Sequence, residues 1–301
     1  MKNMPSLKSM FYLIKLHELQ HFSRAAKACS ITQSTLSIGI QTLEKQLGMP
    51  LLERQHKSFV FTETGEEVVK RCKKILMDVS EITDLARSDG KPFHGTLQLG
   101  CISTIAPFLL PKVVKQTQEK WSDLKLVITE DVSSQLLEKL HLGEIDVALL
   151  ALPAKLKDMQ SYSLGKERLQ WVAHRKHVSP MQEPVNLNTI PNQSLFMLDK
   201  THCLYDHIMQ DAEKSHHQKI NPNAFYDLST LIQMTNTYQG ITCLPQMALK
   251  SHILNHSDLE VIRQNTPALE REICLVWRPS SHRVHTLRAL AALIEQQMRI
   301  L

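Results

Sequence analysis

Cys203 is a thiol placed for redox chemistry. It follows His202 and opens a segment, 205–214, that reads as a helix. A cysteine at a helix N-terminus has a lowered pKa, and the thiolate is the form that attacks peroxides. Thr104 stands where another helix begins, and the exposed N–H groups of a helix start hold polar or anionic partners. Ser103, Ser133 and Asp206 complete the polar set assigned to this site. If these residues face one cleft, they form a small polar site around a nucleophile. The alternative is an inert Cys203 lining the pocket of an ordinary metabolite sensor.

A second group has the types needed to read DNA. Gln33, Ser34, Thr35, Ser37 and Gln41 share the polar side of one helical segment, with Thr32 before it and Ser23 in the preceding segment. Glutamine pairs bidentately with adenine, and Ser or Thr serves base edges or phosphates. Arg54, His56 and Lys57 fall in a polar turn between two β-prone runs, where they would meet phosphate or the minor groove. The other reading of this region is a helical protein-interaction module.

Other chemistry is poorly served. The six cysteines are scattered without a CxxC pair, so neither a zinc site nor a secreted disulfide framework is expected. His216-His217 and the pair His202 and His207 lack metal-ligand spacing. There is no Gly-rich phosphate loop, no Ser-His-Asp order and no paired carboxylates. No enzyme activity, metal or cofactor is expected.

The charge distribution agrees with the DNA reading. Residues 1–62 hold eight basic side chains (Lys2, Lys8, Lys15, Arg24, Lys27, Lys45, Arg54, Lys57) against Glu18, Glu44 and Glu53. The other 27 basic residues are matched by 27 acidic ones, so the whole excess of +5 sits in one small segment. A basic module joined to a neutral one suits a polyanion on one side and a different partner on the other. No apolar run is long enough to span a bilayer. Lys8 and Lys15 interrupt what could pass as a signal peptide, and no small-residue cleavage site follows. A cytoplasmic location with reduced thiols is expected.

The elements that position these residues follow from periodicity. Leu7, Met10, Phe11, Ile14 and Leu16 fall at helical spacing. Ser23 is the expected cap of an alanine-rich helix over 24–29. Thr32 is the expected cap of the next helix, 33–47, whose apolar stripe is Leu36, Ile40, Leu43 and Leu47, with Gly48 closing it. A hairpin follows over 51–61. Two close helices, a polar-faced third and a basic hairpin make a winged helix-turn-helix over 1–62. Thr64 and Glu67 fit a capping box for a long helix within 63–90. Its residues Val68, Cys72, Ile75, Val79 and Ile82 repeat at 4-3-4-3 spacing, the seam of paired helices, so they are the expected dimerisation face. Packing of this helix on its own domain is the alternative.

Beyond a hinge at 88–92, strands and helices alternate. Strands are expected at 96–102, 124–130 and 145–150, with helices at 105–118 and 134–142 between them. This rhythm implies a parallel, doubly wound sheet. Further strands are expected near 169–173, 194–198 and 240–244, helices at 206–214 and 228–237, then a strand at 271–277 and a helix at 282–298. The fold class is therefore α/β, in two lobes like a periplasmic binding protein. Lobe I takes 94–165 and 267–301 and lobe II takes 166–266, within a regulatory domain of 91–301.

The ordered runs Phe22-Ser23-Arg24-Ala25-Ala26-Lys27, Ile31-Thr32-Gln33-Ser34-Thr35-Leu36-Ser37, Leu43-Glu44-Lys45-Gln46-Leu47-Gly48, Leu51-Leu52-Glu53-Arg54 and Phe61-Thr62-Glu63-Thr64-Gly65 resemble the DNA-binding signature of the LysR family of transcriptional regulators. Ser34 stands where that family usually carries proline, and Gln41 where arginine is common. The segments Ser103-Thr104-Ile105-Ala106-Pro107, Met197-Leu198-Asp199-Lys200-Thr201-His202-Cys203-Leu204 and Gly240-Ile241-Thr242-Cys243-Leu244-Pro245 are similar to the peroxide-responsive members. The resemblance implies double-stranded DNA and RNA polymerase as partners, and a homotetramer built from linker-paired dimers. It implies hydrogen peroxide as the signal and Cys203 as the reacting thiol; a non-covalent small-molecule effector in the inter-lobe cleft is the alternative. Those regulators trap oxidation with a second cysteine, whose position here holds Ala212. A sulfenic acid or a mixed disulfide with a small thiol is then expected, rather than an internal disulfide.

Overall fold

A computed structural model describes residues 4–54, 58–87, 92–152, 154, 156, 158–177, 190–211, 218–262 and 269–300. The chain divides into two compact units, one built on residues 1–90 and the other on most of 91–301.

The first unit is helical. Helix α1 (Leu7–Leu19) is capped by Ser6, whose Oγ accepts from the Ser9 N–H. Helix α2 (Phe22–Ala28) is capped by the His21 ring rather than by Ser23, since the helix starts two residues earlier than the serine cap requires. Helix α3 (Gln33–Leu47) has the expected ends: the Thr32 hydroxyl accepts from the Thr35 N–H, and Gly48 closes it at φ +72°. Buried Ala25 and Ala26 give α2 a small-residue face, and a Cβ on Gly39 would lie 2.7 Å from Tyr12 Cδ2. Small side chains thus let α1, α2 and α3 pack tightly. Strands β1 (Leu52–Arg54) and β2 (Phe59–Phe61) pair antiparallel, Leu52 opposite Phe61. Glu44 ties α3 to this hairpin by accepting from the backbone N–H groups of Leu51 and Leu52 at 2.8 and 3.1 Å.

Helix α4 (Glu63–Arg87), roughly 38 Å long at 1.5 Å per residue, starts after Thr62. The Thr62 hydroxyl accepts from the Gly65 N–H, so Thr62 is the cap and the capping box expected at Thr64 and Glu67 is not. Val69 and Cys72 are buried in the core of this unit with Leu13, Leu16, Leu36, Ile40 and Phe61, and Val68 packs beside them. Cys72, expected on a seam between subunits, is therefore a core residue of its own chain. Further along, Ile75 is 39% and Ile82 67% exposed.

The second unit is a mixed sheet between helices. In chain order come β3 (Gly95–Cys101), α5 (Ala106–Lys120), β4 (Leu124–Glu130), α6 (Ser133–Leu142), β5 (Val147–Leu152) and the long β6 (Gln160–His174). After a 3-10 turn at Arg175–His177 follow α7 (Cys203–Asp211), α8 (Leu228–Thr237), β7 (Ile241–Pro245), α9 (Gln246–Lys250), β8 (Leu259–Val261), β9 (Glu270–Trp277) and α10 (Val284–Ile300). The strand order is β4-β3-β5-β9-β6-β7, with β8 also on β6. Only β4, β3 and β5 run parallel; β9 pairs antiparallel with β5 and β6, and β6 antiparallel with β7 and β8. The sheet is thus mixed, not wholly parallel, because β9 and β6 do not enter through the right-handed crossovers that make parallel neighbours. The strand expected near 194–198 is reduced to single bridges at Leu195 and Leu198.

Strand β6 joins the two lobes. Its residues up to Arg168 pair with β9, and from Leu169 onward with β7 and β8. Two apolar cores correspond. One gathers β3, β5, β9, α5, α6 and α10. The other gathers the end of β6, β7, α8 and the segment around Phe196. Cys203 belongs to the first core although α7 also carries Leu204 and Ile208 of the second. The start of α7 therefore sits where the lobes meet.

Candidate nucleic-acid interface and thiol site

The candidate DNA-reading residues of α3 lie on one side of it, beside its cap Thr32 and Ser23 of α2. Ser23, Thr32, Gln33, Ser34, Thr35 and Gln41 are exposed and Ser37 is half-buried, while Leu36, Ile40 and Leu43 face the core. The 3.6-residue period produces this division. Ser23 donates to Gln33 Oε1 at 2.6 Å, and the Thr32 hydroxyl lies 2.9 Å from Ser34 Oγ and 2.8 Å from Thr35 Oγ1. The polar groups at the helix start are thus held in a network that leaves the Gln33 amide nitrogen as a donor. The sequence reading missed Ile38, which is 63% exposed on the same helix. An apolar side chain on a recognition helix is matched by a thymine methyl. Arg54 ends β1, and His56 and Lys57 lie outside the described residues.

In the second unit the structure brings five of the six proposed site residues together. Cys203 is the first residue of α7 and is 7% exposed. Ser103 Oγ lies 3.4 Å from His202 Nδ1, which joins the loop before α5 to the start of α7. His202 is itself buried, and among the described residues its Nε2 has no hydrogen-bond partner. The buried hydroxyl of Ser133, at the start of α6, lies close enough to lower the pKa of the thiol, and among the described residues it has no hydrogen-bond partner. Asp206, by contrast, is exposed one turn along α7. His207 anchors that turn: its Nδ1 lies 2.6 Å from the Cys203 carbonyl oxygen, and its Nε2 bonds the Leu152 carbonyl at the end of β5.

Thr104 is 1% exposed, and its role differs from the expected helix start, because α5 begins two residues later at Ala106. Its hydroxyl accepts from Arg271 Nη1 at 2.7 Å and its carbonyl accepts from Arg271 Nη2 at 3.2 Å. Arg271 also donates through Nε to Glu167 Oε2 at 2.8 Å, and Glu167 Oε1 accepts from the Met247 N–H at 2.8 Å. Both side chains of this ion pair are almost wholly buried, 0% and 5% exposed. This pair links β9, β6, the loop before α5 and the start of α9. Sequence reading assigned neither residue a role. Each stands in a run of charges, Lys166-Glu167-Arg168 and Glu270-Arg271-Glu272, that nothing in the spacing singles out. Only the tertiary pairing distinguishes them.

The electrostatics overturn one expectation. Burial is the largest influence on the Cys203 thiol and raises its pKa. The Arg271 charge and the Ser133 hydroxyl pull it down, and Asp206 pushes it up. A helix start in contact with water would favour the thiolate; here the thiol has lost its water, and desolvation of the charged form prevails. Burial likewise holds the His202 imidazole below its ordinary pKa, against the pull of Asp199. Ala212, the position of the expected second cysteine, lies outside the described residues. Cys243 is buried in β7, in the other core.

Comparison with known proteins places this architecture. The family of bacterial regulatory helix-turn-helix proteins of the lysR type matches residues 7–66, and the LysR substrate binding domain family matches 90–299. The transcriptional regulator EstR of Acinetobacter baylyi is 33% identical over 281 residues, covering 93% of each chain. The hydrogen peroxide-inducible genes activator of Haemophilus influenzae is 29% identical over 303 residues, covering 98% of this chain and 97% of that one. A full-length OxyR from Pseudomonas aeruginosa superposes with a TM-score of 0.76 at 28% identity, over 96% of this chain and 94% of that one. A helix-turn-helix head with a polar recognition face and a two-lobed α/β domain thus coincide with two adjoining family matches, and the chain belongs to the LysR family of transcriptional regulators, related to the OxyR peroxide sensors.

Proposed function

We propose that this regulator responds to hydrogen peroxide through Cys203 and changes how its helix-turn-helix heads engage DNA. The observation that carries the reading is a nearly buried thiol at the junction of two lobes, flanked by the Ser133 hydroxyl and the Arg271 charge. Burial admits a small uncharged oxidant and excludes bulky or charged ones. The thiolate sulfur attacks one peroxide oxygen: the S–O bond forms, the O–O bond breaks, and hydroxide leaves to take up the thiol's proton. The net products are a sulfenic acid and water. A polar oxygen on sulfur then occupies a site in an otherwise apolar core, and the lobes readjust around it. The relatives named as hydrogen peroxide-inducible activators support this assignment.

In the head, Gln33 and Thr35 read base edges, with Ile38 against a thymine methyl. Ser23, Thr32, Ser34, Ser37 and Gln41 serve edges or phosphates, and the wing residues Arg54, His56 and Lys57 meet the backbone. Pairing through α4 builds dimers and tetramers that act with RNA polymerase. Cys203→Ser tests the sensing role. Operator footprints of the wild type should shift on peroxide treatment, and those of the variant should match the reduced wild type with or without peroxide. A variant that still shifts sinks the role of Cys203.

A second reading has its own support. The Nε2 of His202 and the hydroxyl of Ser133, which have no hydrogen-bond partner among the described residues, beside a thiol held protonated by burial, would also suit a small polar effector bound without covalent change. In that case Cys203→Ser retains the wild-type response to the effector.

A further inference from the structure

We propose that Cys274 is the thiol that resolves oxidised Cys203, giving an internal disulfide between α7 and β9. This inference rests on the peroxide reading above and corrects the expectation of a lone oxidised cysteine, which considered only thiols near in sequence.

The sheet register carries it. Side chains alternate between the two faces of each strand. A Cβ on Gly100 would meet Leu136 of α6 at 2.7 Å, so the Gly100 side of β3 faces α6. Gly100 pairs with Ala148, Ala148 with Val276, and Leu150 with Cys274. Cys274 is therefore on the α6 face of the sheet. Cys101 pairs with Leu149 and lies on the opposite face. The start of α7 approaches from the α6 side as well. Ser133, the first residue of α6, faces the Cys203 thiol, and His207 ties α7 to the Leu152 carbonyl, two residues along β5 from Leu150. Cys203 and Cys274 share one core, 7% and 1% exposed. Burial, then the charge of Glu272 and last that of Cys203 push the Cys274 thiol up to about 12. Cys243 lies in the other core. The face and the core thus select Cys274 from the buried thiols.

The step balances without a further reagent. Peroxide oxidises Cys203 to the sulfenic acid and releases water. The Cys274 sulfur then attacks the sulfenic sulfur, an S–S bond forms, the S–O bond breaks, and the hydroxyl leaves with the Cys274 proton as a second water. Because Cys274 is held protonated, this second step is the slow one. A disulfide requires the two Cα atoms to lie within about 7 Å, so the bridge fixes the first turn of α7 against β9.

The test uses the full chain, treated with one equivalent of hydrogen peroxide, quenched by alkylation at intervals and digested with trypsin without reduction. Peptides 201–214 and 272–283 each hold one cysteine, since trypsin does not cut the Arg278–Pro279 bond. The expected result is their cross-linked product, appearing after a sulfenic acid at Cys203 that dimedone traps. In Cys274→Ala the trapped adduct should accumulate severalfold above wild type. The wild-type map needs no variant, so a poorly folding Cys274→Ala does not obscure it. Oxidation confined to Cys203, with Cys274 still alkylated and adduct yields alike in both proteins, overturns the proposal; so does a bridge to any other cysteine. A Cys203 that stays reduced overturns the peroxide reading itself and removes the sulfenic acid this step consumes.

Discussion

Replacing Glu167 by alanine should strip the counter-charge from a guanidinium that has no access to water. Arg271 is 0% exposed and makes four contacts under 3.3 Å, two to Glu167 and two to Thr104. Removing one partner of a buried ion pair costs about 3–5 kcal/mol, because the remaining charge is left uncompensated. The Met247 N–H would lose its acceptor too. For a domain of this size, residues 90–299, each kcal/mol moves the melting midpoint by about 2–4 °C, so the expected fall is roughly 6–20 °C. Scanning calorimetry of the full chain measures it. The double variant Glu167→Met/Arg271→Met should recover most of the loss, since paired apolar replacements of buried ion pairs are often neutral. Reactivity should not recover with stability. Arg271 lowers the Cys203 pKa, so its removal leaves less thiolate and slower oxidation. A Glu167→Ala protein melting within about 2 °C of wild type would refute the reasoning. A double variant that reacts with peroxide as fast as wild type would separate Arg271 from the thiol.

Three other outcomes are expected. Burial raises the Cys203 pKa above the ordinary thiol value, so its thiolate fraction, and with it the peroxide rate, should climb about tenfold per pH unit from pH 7 to pH 9; stopped-flow rates that stay flat over that range would contradict the assignment. The Gln33→Ala/Thr35→Ala protein should lose discrimination between operator and mismatched duplexes by about 1–3 kcal/mol per base contact, whereas Lys57→Ala should weaken all duplexes alike and flatten the salt dependence; fluorescence anisotropy at two salt concentrations distinguishes them. Ile75→Asp places a charge on the exposed apolar side of α4, and sedimentation should show a weakened dimer of the N-terminal unit, where wild-type association would remove α4 as the pairing face.

The head was legible in the sequence because its determinants are local. The stripe Leu36, Ile40, Leu43, the Thr32 cap and the Gly48 terminus act within one or two helical turns, and each stands as the pattern implies. The caps at Ser23 and Thr64 were each misread by two residues, a choice among neighbouring polar groups that spacing alone does not make. The 15-residue β6 was read as five, because its first half, Gln160–Arg168, is polar and takes its strand form from pairing with β9. The Cys72 repeat position fitted a seam, yet its side chain is buried in the core of its own unit. At the thiol site the sequence by itself determined which side chains are available: His202 and Cys203 in tandem, Ser103-Thr104, and Ser133. Tertiary structure decided the rest. It buried Cys203 and so reversed the direction of its pKa, gave Thr104 to Arg271, and put Cys274, 71 residues away in the chain, in the same core. Desolvation and pairing depend on which segments exclude water from which others, and that is a property of long-range packing rather than of spacing along the chain.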